Sequence, residues 1–175
     1  AFFYKAKNFK NNINLIESGL FHRADACSVI RTNLASIITA IGLDHLDWLP
    51  KDKQTIDQII FEKTSSLLNS KIIISKQSSS EILNKIKESI KKNSSKKIFY
   101  RNDFNYSLSE NGFFYYEDKH GGLKLPLPNL EGEFQLSNVS TAIATLRNIE
   151  EINITDQNII NGIKKIKSIG RFSEI

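Results

Sequence analysis

Methionine is absent from the 175 residues, cysteine and tryptophan occur once each, and proline three times. The lone Cys27 excludes an internal disulfide framework and a cysteine-based zinc site. Such sparing use of cysteine points to a reducing, cytoplasmic setting. No run approaches the roughly 18 apolar residues of a membrane span, so no membrane partner is expected. The opening AFFYKAKNFK has no small-residue cleavage site and does not read as a signal peptide. None of the eight glycines falls in G-x-x-x-x-G-K-[ST] or G-x-G-x-x-G. A self-contained phosphate-binding loop is therefore missing. With Ala at position 1 and no methionine, the chain reads as an interior piece of a longer protein. Residues 1–10 read as the last turns of a helix, and the chain stops just after a Gly-Arg turn.

What is present is an ordinary globular composition, 40% hydrophobic and 25% charged, rich enough to bury a core. The net charge of +5 is mostly lysine, concentrated at Lys91–Lys97 and Lys164–Lys167. The aromatics cluster elsewhere, so the basic runs do not read as a nucleic-acid surface.

Along the chain, Asn14–Glu17 reads as a buried strand running into a loop at Gly19, and Ser36–Ile41 as a second, β-branched one. Thr55 caps a helix whose Ile56, Ile59, Ile60 and Leu67 share one side. Lys71–Ile74 is a third strand, Ser78–Glu81 opens another helix, and Lys97–Arg101 is a fourth strand. This alternation argues for α/β with a mostly parallel sheet flanked by helices. Phe104–Leu108, Gly112–Tyr116 and Leu123–Leu127 are short, aromatic and separated by turns, which predicts a small antiparallel meander. Helices follow at Gln135–Ile149 and from Thr155 to Ile166.

Glu17 is expected at a strand end, where open α/β sheets bind ligands. The cluster Gly42-Leu43-Asp44-His45-Leu46-Asp47-Trp48 follows directly on another strand, and His45 is a candidate ligand or acid–base group. By position alone, Lys63 reads as an exposed helix lysine, His22–Asp25 as a polar turn, and Cys27 as a buried small residue.

Five motifs, in order, resemble folylpolyglutamate synthase/dihydrofolate synthase of the Mur ligase superfamily. Leu15–Ala26 is similar to L-E-V-G-L-G-G-R-L-D-A, and Ile41–Leu49 to I-G-L-D-H-x-D-W-L. Thr55–Lys63 is similar to T-I-x-x-I-A-x-E-K, Leu125–Asn138 to the L-x-L-x-G-x-H-Q-x-x-N run, and Gly170–Glu174 to P-G-R-F-E. The family's Gly-Gly is Phe21-His22 here, and its His before Gln is Phe134.

The resemblance implies a central ATPase domain over 1–169 that lacks its phosphate-loop segment. Residues 170–175 would open a linker to a glutamate-binding domain. It implies an ATP-dependent acid–amino-acid ligase joining L-glutamate to dihydropteroate or reduced folates through an acyl phosphate. The alternatives are another Mur-type ligase or a non-catalytic remnant of the fold. By the same resemblance Glu17 and His45 hold Mg²⁺, in two ions, and K⁺ is a further ion. Lys63 falls where a lysine is carbamylated, Asn138 and Arg171 where ATP is bound, and Ala24, Asp25 and Ala26 where dihydropteroate is contacted. A monomer handling small molecules is expected.

Overall fold

The computed structural model describes residues 8 and 12–166. The expected helix at 1–10, apart from residue 8, and the Gly170–Glu174 motif with Arg171 lie outside the described residues.

Two sheets organise the chain. Strands β1 (Ala35–Ile38), β2 (Lys71–Ile74) and β3 (Lys97–Phe99) form a parallel sheet in the order β1-β2-β3. The crossovers are helices α1 (Ile56–Thr64) and α2 (Ser80–Ser89), so the unit is two consecutive βαβ turns. Strands β4 (Phe104–Leu108), β5 (Phe113–Asp118) and β6 (Gly121–Pro126) form the antiparallel meander. Helices α3 (Phe134–Asn148) and α4 (Asp156–Lys165) complete the fold. No described helix is long and apolar enough to cross a membrane.

Local chemistry explains the boundaries. Thr55 Oγ1 accepts the Gln58 N–H at 3.2 Å and starts α1, and Ser79 does the same for Ile82 in α2. Thr155 and Asn158 satisfy each other's backbone in a reciprocal cap on α4. Asn111 and Gly112 both take positive φ (71° and 75°), as the tight β4–β5 reversal requires.

The central strand β2 is buried on both faces: Ile72, Ile73 and Ile74 are each 0% exposed. Ile72 and Ile74 pack with Ile59 and Ile60 of α1 and with Ile86 and Ile90 on the α2 side. Ile73 packs on the other side with Ile98, α3 (Ile143, Ala144), α4 (Ile159, Ile163) and the meander (Phe104, Phe114, Tyr116, Leu125). A buried polar clamp joins the meander to these helices. Arg147 donates to Asp118 Oδ1 (3.1 Å) and to the carbonyls of Gly121 and His120. Tyr116 Oη donates to Asp118 Oδ2 at 2.8 Å. Burial, then this bond, push the Tyr116 phenol well above its ordinary value.

The fold agrees with the expected α/β class, with several departures. Helix α1 ends at Thr64, short of Leu67, and β3 ends at Phe99 rather than Arg101. Asn14–Glu17 is not a strand; it is exposed coil, with Leu15 86% exposed. A strand needs a hydrogen-bonded neighbour as well as apolar content, and this segment pairs with none among the described residues. The second strand ends at Ile38 rather than Ile41. There the chain is taken over by Gln77, whose Oε1 accepts the Ile41 N–H while its Nε2 donates to the carbonyls of Thr39 and Ser75. Gly121 and Gly122 open β6 instead of forming its preceding turn.

Candidate active site

The carboxyl edge of the parallel sheet gathers two of the predicted segments. Gln77 ties the ends of β1 and β2 together, and the loop carrying His45 leaves from this edge. Ser75, directly after β2, meets Ser137 Oγ at 3.1 Å and anchors the first turns of α3 there. Asn138 is the next residue. It is exposed, and its amide donates to the Oε1 of buried Gln135 at 3.2 Å, which sets the amide's orientation. Just before the helix, Gly132 takes φ 102°, a backbone conformation that glycine adopts without the strain a side chain would bring.

His45 is half-buried and stands in the left-handed region (φ 58°, ψ 29°), unusual for a residue with a Cβ. Its Nε2 lies 3.1 Å from Asp44 Oδ2. Phe21 meets it edge-on, with ring centroids 6.2 Å apart. Gln54 holds the following turn by donating to the carbonyls of Leu46 and Leu49.

Phe21 belongs to a loop with a defined internal geometry. Asp25 accepts the Gly19 N–H through one oxygen and the Cys27 N–H through the other, both at 2.9 Å. The Cys27 thiol and backbone, then the Gly19 N–H, hold the Asp25 carboxyl down to about 2. Burial, then the neighbouring Asp25, push the Cys27 thiol up. Cys27 is half-buried, with Ser18 Oγ 3.0 Å from its sulfur. Ala24 and Ala26 are exposed on either side of the anchored Asp25.

The same loop is fastened to α1. The Arg23 guanidinium forks onto Glu62, Nε to Oε2 at 2.7 Å and Nη2 to Oε1 at 2.9 Å. The Arg23 N–H also donates to the Glu62 carbonyl at 3.0 Å. Glu62 is 4% exposed and takes a further bond from Gln58 Nε2 at 2.8 Å. Arg23 holds its carboxyl below the ordinary range, and Glu62 raises Arg23. Lys63, next to Glu62 in the last turn of α1, is half-buried rather than fully exposed.

The structure thus links the His45 loop to the 18–27 loop through Phe21, and that loop to the Lys63 helix through Arg23. Glu17 lies one residue before this loop, on exposed coil and not at a strand end as expected. Among the described residues no three His, Cys, Asp or Glu side chains cluster. Sequence reasoning missed Arg23, Glu62 and Gln77. Glu62 stood in plain view beside Lys63, but its partner is 39 residues away.

The structure is an α/β unit with the His45 loop and the start of α3 gathered at the carboxyl edge of a short parallel sheet. Known proteins share this fold. The chain is 28% identical over 169 residues to dihydrofolate synthase/folylpolyglutamate synthase of Escherichia coli (strain K12), covering 95% of this chain and 37% of the relative. It superposes on E. coli FolC solved with DHPP and ADP, with TM-score 0.74 and 27% identity, over 90% of this chain and 36% of that one. An L. casei FPGS variant gives TM-score 0.78 at 24% identity, over 91% and 40%, and bears on the fold alone. The chain spans little more than a third of the relatives it matches. No protein-family model matches. The resemblance read from the five motifs and the one found in three dimensions lead to the same proteins.

Proposed function

We propose that this chain is part of an ATP-dependent ligase that joins L-glutamate to dihydropteroate, to reduced folates, or to both. The observation that carries this reading is the match over 90% of the chain to a synthase solved with DHPP and ADP. In the proposed reaction the terminal phosphoryl group of ATP passes to the substrate carboxylate, giving an acyl phosphate and ADP. The neutral amine of glutamate then attacks the acyl carbon. The tetrahedral intermediate collapses to the amide and expels phosphate, and the amine proton is lost. Chemistry of this kind depends on positioning and charge stabilisation more than on covalent help from the protein.

The residues take the following roles in this reading. Asn138 reads the adenine edge with an amide already oriented by Gln135. Arg171 would meet the ATP phosphates with a planar fork. Ala24 and Ala26 offer small, open surface to the pteroate ring. Asp25 acts by shaping the loop, because both its oxygens are already bonded to backbone. Lys63 takes up CO₂ as a carbamate, which turns a cation into an oxygen donor.

Glu17 and His45 would hold Mg²⁺. Each residue would hold a separate ion, Glu17 one and His45 a second, with the remaining positions left to water and phosphate oxygens, as Mg²⁺ prefers. When bound, such an ion neutralises charge on the transferring phosphoryl group.

The test is ADP release by the purified protein, followed by a coupled assay. The expected result is release that needs both dihydropteroate or tetrahydrofolate and glutamate, with a product heavier by one glutamyl group. Release that instead needs a UDP-muramyl substrate, or no release with any acceptor, overturns the proposal.

A further inference from the structure

The geometry points to the Arg23–Glu62 fork as a positioning latch that sets loop 18–27 against the helix carrying Lys63, and thereby tunes affinity for the pteroate substrate. This rests on the substrate role proposed for Ala24 and Ala26. Four observations converge on the latch. The fork is bidentate at 2.7 and 2.9 Å, the planar match for which arginine is suited and lysine is not. Its acceptor is 4% exposed and further held by Gln58. The two backbones are also bonded, Arg23 N–H to Glu62 carbonyl at 3.0 Å. The guanidinium covers the exposed Phe61 ring, 5.5 Å from its centroid.

The placement gives the latch its consequence. Arg23 immediately precedes Ala24, and Glu62 immediately precedes Lys63. One contact therefore fixes the distance between the loop proposed to hold the acceptor and the residue proposed to act on the phosphoryl group. Asp25 braces the loop from within, Phe21 roots it in the core beside His45, and the fork with its backbone bond fastens it to α1. Arg23 and Glu62 are positioning residues here and touch no reacting atom.

Two measurements on the purified protein test this. The first is hydrogen exchange of the residue-23 amide, which bridges the loop to α1 by donating to the Glu62 carbonyl. In R23A it should exchange about tenfold faster, with α3 unchanged. The second is steady-state kinetics. The dihydropteroate KM should rise about tenfold in R23A while the ATP KM moves less than twofold, and millimolar guanidinium should recover much of the loss. R23K keeps the charge but not the fork and should fall between R23A and wild type; it carries the test if R23A misfolds, which α3 exchange reports. Wild-type exchange of the residue-23 amide overturns the latch. Equal rises in both KM values overturn the positioning role in favour of a merely structural one. A wild-type protein with no dihydropteroate-dependent ADP release, but with a loosened loop in R23A, overturns the proposed substrate and with it the positioning role.

Discussion

Removing Arg147 should cost far more than losing a surface charge. The Arg147 side chain is 10% exposed and that of Asp118 only 1%. Asp118 therefore has little water to turn to when its partner leaves. It would keep the Tyr116 hydroxyl at 2.8 Å and the His120 N–H at 2.8 Å, but no cation in contact. Asp156, 3.6 Å from Arg147, is 60% exposed and contributes little. Breaking a buried pair by deleting one partner typically costs about 3–5 kcal/mol, most of it the orphaned charge. R147M keeps much of the side-chain volume, so the expected loss is about 3 kcal/mol, read from urea unfolding at constant denaturant slope. The orphan-charge argument makes a sharper claim. D118N/R147M should be less destabilised than R147M alone, because the neutral amide no longer needs a cation. If the double variant is as unstable as the sum of the singles, or if R147M loses under about 1 kcal/mol, the reasoning is wrong.

Other expectations follow from the same geometry. Ile73→Ala should destabilise by about 3–4 kcal/mol in the same assay, because Ile73 is 0% exposed on the central strand and reaches the core shared with the meander. Acid should loosen the 18–27 loop: Asp25 sits at about 2 when folded against an ordinary 3.8. A depressed carboxyl stabilises the fold above its unfolded value and loses that contribution as pH falls toward 2. Glu62 acts in the same direction. D25N should accordingly flatten the fall in urea midpoint between pH 4 and pH 2; an unchanged acid limb would refute the assignment. In the proposed reaction Asn138→Ala should raise the ATP KM about tenfold, worth ~1.4 kcal/mol, with the dihydropteroate KM unchanged. Lys63→Ala should cut kcat by about 100-fold, and Lys63→Arg should fail to restore it, since a guanidinium forms no carbamate.

Elements governed by local pattern were readable from the sequence. The β2 isoleucines, the Thr55 and Thr155 caps and the Asn111-Gly112 reversal each carry their cause within a few residues, and each stands where expected. Asn14–Glu17 has the composition of a strand but not the partner, and strand formation is a property of the pair. The candidate site divides along the same line. His45, Lys63 and Asn138 are proposed from contiguous motifs. The contacts around them were not legible, because Phe21 meets His45 across 24 positions and Arg23 meets Glu62 across 39.

Asp25 shows why this difference matters for reading function from a motif. A carboxylate inside a motif invites a role in charge recognition. In the structure its two oxygens accept from the Gly19 and Cys27 N–H groups, and the Cys27 thiol, then these bonds, hold its carboxyl low. One lone pair on each oxygen is thereby committed to the backbone of its own loop, and the ion pair that leaves the loop is Arg23 with Glu62. For that reason substitutions at Arg23 and Glu62 should alter substrate affinity more selectively than substitution at Asp25, which also unties the loop itself.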